Sequence, residues 1–448
     1  MRHRIEEYQD YIARLYPDLM EKGVPGKWGD GKILSKPVTF QVNNACNLCC
    51  EYCYEHNKGN DHMSFSTARK FIDLILSGDK GFRDYINTQN SPGIVLEFIG
   101  GEPTLDIELI DEIVDYWRHE SIRLYSQWAE MFMISICSNG TLYKNPKVQR
   151  FLNKNQAHLS FSVTLDGSKR MHDKCRVFPD GSGSYDLAEY AVKDWMSKGH
   201  EMGTKITLSP QNVGYAFEAV ENMVQLGFEE IFMNCVFEKG WTQKDATVIY
   251  WQLKKIADYM FEHNLDDEIY LSMFEDNNFK PMPPDDNENW CGGDLTMLAC
   301  DPKGDLYPCI RYMESSLNGH QPALKIGDVD NGLLLREEEV QRVKCMDCLT
   351  RRSQSTDECF YCPIAQGCAW CSAYNYEVFG TPNHRATYIC EMHKARSLAN
   401  VYFWNKYYRK HLEDKKFEMY CPKEWAVPII GEDEYAMLKE LSEGGGYN

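Results

Sequence analysis

From Pro37 to about Cys235 the chain alternates short apolar runs with longer stretches in which apolar residues recur at helical spacing. The short runs fall at 38–43, 93–99, 131–137, 159–165, 204–208 and 229–235. Several are almost continuously apolar, the composition of parallel strands buried on both faces. The stretches between them carry helix punctuation: Val213–Leu226 has Asn212 at the N-cap position and Gly227 just past its end. Strand–helix units in succession at all six runs predict an α/β fold, a partial (β/α)6 barrel. In such barrels chemistry collects at the C-terminal ends of the strands.

The flanking segments read differently. Residues 1–36 form an amphipathic helix pattern (Ile5, Tyr8, Tyr11, Ile12, Leu15) and a Gly/Pro-containing connector, ahead of a barrel over 37–240. A bridge over 241–289 holds another helix, 241–263, and a Pro/Asp/Asn-rich connector at 276–289. Composition shifts at Trp290, and ten cysteines fall between there and Cys390, which marks a second domain over 290–395. The remainder, 396–448, begins as a helix with Tyr402, Phe403, Trp404, Tyr407 and Tyr408, a stripe that packing explains, and ends in a Gly-rich tail.

With 448 residues the chain can bury a large core in more than one domain. Its formal net charge of −19 argues against nucleic acid as partner, because phosphate binding needs clustered Lys and Arg. No secretory signal and no apolar run of membrane-spanning length is visible, so a cytoplasmic protein without membrane contact is expected. In that compartment 18 cysteines point to metal–sulfur chemistry before disulfides.

The loop after the first predicted strand reads Cys46-Asn-Leu-Cys49-Cys50-Glu-Tyr-Cys53-Tyr54. Cys46, Cys50 and Cys53 give C-x3-C-x2-C with an aromatic residue directly after, while Cys46, Cys49 and Cys53 give C-x2-C-x3-C. Three thiolates hold only three irons of a four-iron, four-sulfur cluster and leave one iron open to a small molecule. A zinc knuckle is the bland alternative for either register.

The C-x3-C-x2-C stretch resembles the radical S-adenosylmethionine (SAM) enzymes. One βα unit later, Gly100-Gly101-Glu102-Pro103-Thr104 is similar to their GGEP motif, which contacts the amino group of SAM. Adjacent glycines allow close backbone approach, and a carboxylate there can receive an ammonium group. Ser138-Asn139-Gly140-Thr141 resembles the family's ribose-proximal turn, and Thr164-Leu165-Asp166-Gly167 with His172-Asp173 and Arg176 resembles the S-x-D-G…H-D…R stretch of peptide and protein maturases. Thr164 stands where serine is usual and keeps the hydroxyl. The resemblance implies Cys46, Cys50 and Cys53 as ligands of the SAM-binding cluster. It implies SAM contacts from Tyr54, Gly100, Gly101, Glu102, Ser138, Asn139, Thr164 and Arg176, the arginine pairing with SAM's carboxylate. Asp166 and His172 are read as ordering their turn, and no catalytic residue is assigned beyond the cluster and SAM.

In the second domain, Cys291-x12-Gly304-x4-Cys309 reads as a β-hairpin with a cysteine on each side, followed by Cys359-x2-Cys362-x5-Cys368-x2-Cys371 and Cys390. This resembles the SPASM domain, with its auxiliary clusters, although the final pair is one residue shorter and Cys345-Met-Asp-Cys348 is additional. By resemblance Cys359, Cys362, Cys368 and Cys390 hold an outer cluster. Cys291, Cys309 and Cys371 hold an inner one, its fourth position open or filled by Cys345 or Cys348. Cys300 is read as a core residue, and Cys137, Cys175, Cys235 and Cys421 fit no ligand spacing. Zinc binding remains the alternative for the isolated pairs.

The resemblance implies SAM and three [4Fe–4S] clusters as cofactors, and an electron donor such as flavodoxin or ferredoxin. It implies cleavage of SAM to a 5′-deoxyadenosyl radical that takes a hydrogen from a peptide or protein. Sulfatase maturases carry an aspartate directly after the cysteine of their Tyr-Pro-Cys segment, whereas Ile310 follows Cys309 here. The segment 362–376 resembles maturases of Cys-x-x-x-repeat precursors. A thioether-forming peptide maturase of the sactipeptide or ranthipeptide kind, acting on a cysteine-containing precursor, is therefore expected. The alternatives are a SPASM enzyme forming carbon–carbon cross-links or a peptide-derived cofactor, and a sulfatase-maturase-like enzyme. The 45 residues before Cys46 are too few for a complete leader-binding winged helix, which leaves leader recognition to the 1–36 helix, a shortened element or a separate protein.

Overall fold

A computed structural model describes residues 35–333 and 336–444. The helix expected over 1–36 lies almost wholly outside the described residues. All six expected strands form: β1 (Ser35–Asn43), β2 (Gly93–Gly100), β3 (Phe132–Ser138), β4 (Leu159–Val163), β5 (Lys205–Leu208) and β6 (Glu230–Cys235). β1 to β4 pair in parallel in chain order, and β5 pairs in parallel with β6. A parallel bridge between Ser162 and Gly203 joins the two sheets. A short β7 (Tyr270–Leu271) adds to the far edge of β6. The result is a parallel α/β partial barrel, as the run of βα units predicts.

Apolar residues on the outer face of the sheet carry the core. Phe40 of β1 stacks on Phe98 of β2 at 5.3 Å between ring centroids and meets Phe71 edge-on at 5.0 Å. Phe71 comes from the helix Phe65–Ser77, whose buried Ala68, Phe71, Ile72, Leu74 and Ile75 lie along one stripe. The helix expected over 213–226 differs in its first turn. Val213–Tyr215 is a 3-10 turn, the α-helix runs Ala216–Gln225, and the Asn212 side chain makes no cap bond. Its amide instead accepts from Ser209 N and donates to Thr207 O, tying the end of β5 to the following loop.

The cysteine-rich region does not stand apart from this sheet. β8 (Leu298–Cys300) pairs in parallel with the free edge of β1, Val38 opposite Leu298 and Phe40 opposite Cys300. β9 (Asp305–Tyr307) returns antiparallel, and β10 (Gly327–Asp328) follows it, giving one sheet in the order β10-β9-β8-β1-β2-β3-β4. The hairpin turn needs Gly304: its φ is +91°, and a Cβ there would lie 2.7 Å from Val329 Cγ2. Cys300 is fully buried in β8, where the hairpin covers an edge that would otherwise expose unpaired backbone.

The helix Gln243–Glu262 starts at a Thr242/Asp245 capping box. It packs along the helix Cys390–Lys410 through the aromatic stripe, with Phe403 stacked on Phe261 at 5.2 Å and on Phe274 at 4.1 Å. No helix among the described residues is long and apolar enough to cross a membrane.

Candidate active site

The loop after β1 carries the first cysteines and is closed by backbone bonds from Asn44 N to Asp61 O and from Gly59 N to Asn44 O. Cys49 N bonds Val177 O at 2.7 Å, and the Cys49 side chain is exposed. Cys46, Cys50 and Cys53 are partly buried and lie within one another's electrostatic reach. Burial pushes the Cys46 thiol up to about 11, and burial also raises Cys50, opposed by the Arg176 guanidinium. Burial works against the Lys58 ammonium, yet Cys53, Cys46, Cys50 and Glu55 around it hold it above the usual lysine range. Grouped thiols with a cation beside them suit a metal cluster, because a coordinated thiol gives up its proton to the metal's charge.

The paired glycines at the end of β2 serve contact with this loop. A Cβ on Gly101 would lie 2.4 Å from Ala45 O and 2.8 Å from Cys46 Cβ, and one on Gly100 would lie 2.5 Å from Asn43 Oδ1. The close approach lets Glu102 N donate to Ala45 O at 2.8 Å. The Glu102 side chain is buried, and its carboxylate is already engaged: Oε1 accepts from Thr104 N, Thr104 Oγ1 and Ser138 Oγ, and Oε2 accepts from Asn139 N at 2.7 Å. A carboxylate open to an ammonium group is thus not what the fold presents. Glu102 instead welds the β2 turn to the Ser138–Thr141 turn, and Asn139 Nδ2 carries the link on to Asn47 within the cysteine loop at 2.8 Å.

Asp166 is fully buried and collects donors from Tyr52 Oη, Arg176 Nε at 2.7 Å and Thr207 N at 2.9 Å. Arg176 Nη1 lies 3.9 Å from Cys50 Sγ. His172 accepts from Asp166 N at Nδ1, so its proton sits on Nε2, 2.9 Å from Ser184 Oγ. Burial holds this imidazole well below the usual histidine range, in keeping with a turn-ordering role. Thr164 Oγ1 lies 3.4 Å from Cys137 Sγ, which is exposed at the end of β3.

The remaining thiols fall into separate groups. The Sγ atoms of Cys291 and Cys309 each lie 3.5 Å from the Cβ position of Gly293, and burial followed by Cys371 and Cys291 raises Cys309. Cys371 caps the helix Ser372–Phe379, its sulfur accepting from Tyr374 N at 3.4 Å. Cys359, Cys362, Cys368 and Cys390 form a second group, in which burial pushes Cys368 up to about 11 and Cys390 up to about 12. Cys345 and Cys348 are exposed at the end of the helix Glu337–Asp347, and Cys348 is the thiol that acts on Cys345. Cys421 is buried with Cys362 among its neighbours, a proximity that no spacing in the sequence signals.

Arg311 joins the two cysteine regions. Its guanidinium lies 4.8 Å over the Tyr54 ring, pairs with Glu238 at 2.9 Å and feels the Cys371 thiol. Its place two residues after Cys309 was a usable sequence signal, whereas nothing in the sequence marks Glu238 or Glu377.

An open parallel barrel with three thiols on the loop after its first strand, extended by a hairpin flanked by further grouped thiols, defines the architecture of radical SAM proteins with a SPASM extension. No protein-family model matches the chain. It is 28% identical to an uncharacterised protein of Methanocaldococcus jannaschii over 61% of this chain and 84% of that one. It is 23% identical to the radical SAM cyclopropyl synthase TigE of Paramaledivibacter caminithermalis over 61% of this chain and 57% of that one. With the serine-type anaerobic sulfatase-maturating enzyme of Bacteroides thetaiotaomicron the identity is 25%, over 42% of this chain and 41% of that one. The chain therefore spans only about half the length of these two enzymes. Among solved structures, native anSMEcpe with bound AdoMet superposes with a TM-score of 0.58 at 15% identity, covering 84% of this chain and all of that one. Streptococcus suis SuiB bound to precursor peptide SuiA gives 0.53 at 14%, covering 80% and 76%. These likenesses carry the fold. In sequence the chain is similar to homologues that are radical SAM enzymes modifying peptides or proteins.

Proposed function

We propose that the protein is a peptide maturase that installs thioether cross-links from cysteine sulfur to a nearby residue carbon in a ribosomally made, cysteine-containing precursor. When bound, SAM and its cluster supply a 5′-deoxyadenosyl radical, and auxiliary clusters supply a place for the surplus electron. In this reading Cys46, Cys50 and Cys53 ligate the first cluster. Their shared neighbour Lys58 supports that register, as does the exposure of Cys49. SAM lies along Tyr54, Gly100, Gly101, Glu102, Ser138, Asn139, Thr164 and Arg176. Glu102 acts there by holding the two turns together, and Arg176 is anchored to Asp166 through Nε while its Nη1 lies 3.9 Å from Cys50 Sγ. Cys291, Cys309 and Cys371 ligate the inner cluster, with an open fourth position. Cys359, Cys362, Cys368 and Cys390 ligate the outer one. A soluble electron donor of the flavodoxin or ferredoxin kind and a cytoplasmic location complete the proposal.

The observation that carries it is the placement of Arg311, which reaches from Tyr54, beside Cys53, to the surroundings of Cys371 and so links the two cysteine regions. The binding of precursor peptide SuiA by SuiB, which shares this fold, supports a peptide substrate. The test is anaerobic reconstitution and mass spectrometry of a coexpressed cysteine-rich precursor. About twelve irons per chain, loss of a hydrogen pair per cross-link and blocked cysteine alkylation are expected. Colourless protein containing zinc would defeat the reading. TigE, a cyclopropyl synthase by name, favours a second reading, carbon–carbon bond formation; there the hydrogens are lost while cysteines stay alkylatable. The sequence likeness to the serine-type anaerobic sulfatase-maturating enzyme favours a sulfatase-maturase-like oxidation, which would leave an aldehyde instead.

A further inference from the structure

Thioether formation needs the substrate thiol ionised, and the position after Cys309 that holds an aspartate in sulfatase maturases is Ile310. The fold brings other proton acceptors to the same place. A cavity of about 190 Å³ at the strand ends is lined by Tyr52, Cys53, Tyr54, His56, Glu238 and Lys239, among others. His56 Nε2 faces Glu377 Oε1 at 3.9 Å. Glu377 comes from the helix Ser372–Phe379 that Cys371 caps, and its side chain is 3% exposed. Its Oε2 has no hydrogen-bond partner among the described residues, and Arg311 Nη2 stands 3.9 Å away. Arg311 Nε is likewise buried without a partner. A buried carboxylate with an ion-pair gap on each side is expensive unless function retains it.

We propose that His56 is the proton acceptor for the substrate's cysteine thiol, held in place by Glu377, with Arg311 bridging Glu377 to Glu238. The inference rests on the thioether reading. Nε2 lies on the Glu377 side, and the accepting role falls to the other ring nitrogen, Nδ1. There the S–H bond breaks, an N–H bond forms, and the electron pair stays on sulfur as thiolate. Glu377 is a positioning residue, the third member of an acceptor–orienter arrangement. The groups facing His56 are Arg311, Glu238, Glu377, Tyr54 and Lys239. Burial first, then Arg311, holds His56 below the usual histidine range, with Glu238 opposing, so it stands neutral and ready to accept at neutral pH.

The test is the rate at which diethylpyrocarbonate modifies His56 in the reconstituted enzyme as a function of pH, read by mass spectrometry relative to exposed His119. Only the neutral imidazole reacts. The midpoint should lie below the usual histidine value of about 6.5, and Glu377→Gln should lower it by about one further unit, since a nearby carboxylate favours imidazolium. Glu377→Asp should recover part of that shift. N-acetyl-L-cysteinamide should slow modification of His56 relative to His119 by seating its thiol against the accepting nitrogen, while N-acetyl-L-alaninamide, which lacks the thiol, should not. A midpoint unmoved by Glu377→Gln, or equal reaction with and without the thiol, overturns the proposal. Should Glu377→Gln fail to load iron, the thiol arm on the unaltered enzyme decides alone. Neither arm needs SAM or electrons, so failure of the unaltered enzyme to cleave SAM would fall on the functional reading instead.

Discussion

Gly101→Ala is the substitution for which the structure sets the clearest magnitude. The added Cβ would lie 2.4 Å from Ala45 O and 2.6 Å from Ala45 C, both backbone atoms that no side-chain rotation can clear. Ordinary contact begins near 3.4 Å, so the loop must retreat by 3.4 − 2.4 = 1.0 Å. Overpacking of this kind costs about 1–3 kcal/mol, and the Glu102 N to Ala45 O bond that the move breaks adds about 1 kcal/mol. Against a total stability of about 5–15 kcal/mol the chain still folds. Cys46 follows Ala45 directly, however, and ligand positions in a metal site tolerate only about 0.2 Å. The variant should therefore keep its circular dichroism and its auxiliary clusters while losing about four irons per chain and its SAM cleavage. Iron analysis, electron paramagnetic resonance and release of 5′-deoxyadenosine would read this. Full iron and an unaltered rate of SAM cleavage in the folded variant would refute the claim that Gly101 serves the cysteine loop.

Single alanine substitutions of Cys46, Cys50 and Cys53 should each abolish SAM cleavage, whereas Cys49→Ala should leave it; the opposite result at positions 49 and 50 would reverse the register. The double variant Cys345→Ala/Cys348→Ala should retain full iron, while Cys291→Ala, Cys309→Ala or Cys371→Ala should lose the inner cluster, as iron counts would tell. Burial takes His393 from 6.5 to about 4, with Nε2 donating to Ile364 O at 2.7 Å. The unfolded chain then takes up the proton first. Stability is full above about pH 6.5 and falls by about 3 kcal/mol as pH drops through about 4. His393→Gln keeps a donor without the titration, so its urea midpoint should vary less between about pH 7.5 and pH 5 than that of the unaltered protein. Parallel curves would dismiss the assignment.

Six strands, the cysteine loop after the first, the turns at Gly100 and Ser138 and the grouping of later cysteines were legible in the sequence, because periodicity and spacing are local. Contacts across the chain were not. That β8 joins β1 depends on a free strand edge that no local pattern reports. Asn212 lost its cap role to Ser209 and Thr207 once β5 was placed.

The same division runs through the site. Local sequence determined which residue types could hold metal and SAM. Only the tertiary structure decided that the carboxylate of Glu102 is spent on Thr104, Ser138 and Asn139. It also separated exposed Cys49 from its three neighbours, and brought Glu238, Glu377 and His56 together around Arg311. The physical reason is that hydrogen-bond competition and desolvation act between groups far apart in the chain, and their outcome depends on which groups the tertiary structure brings within contact distance.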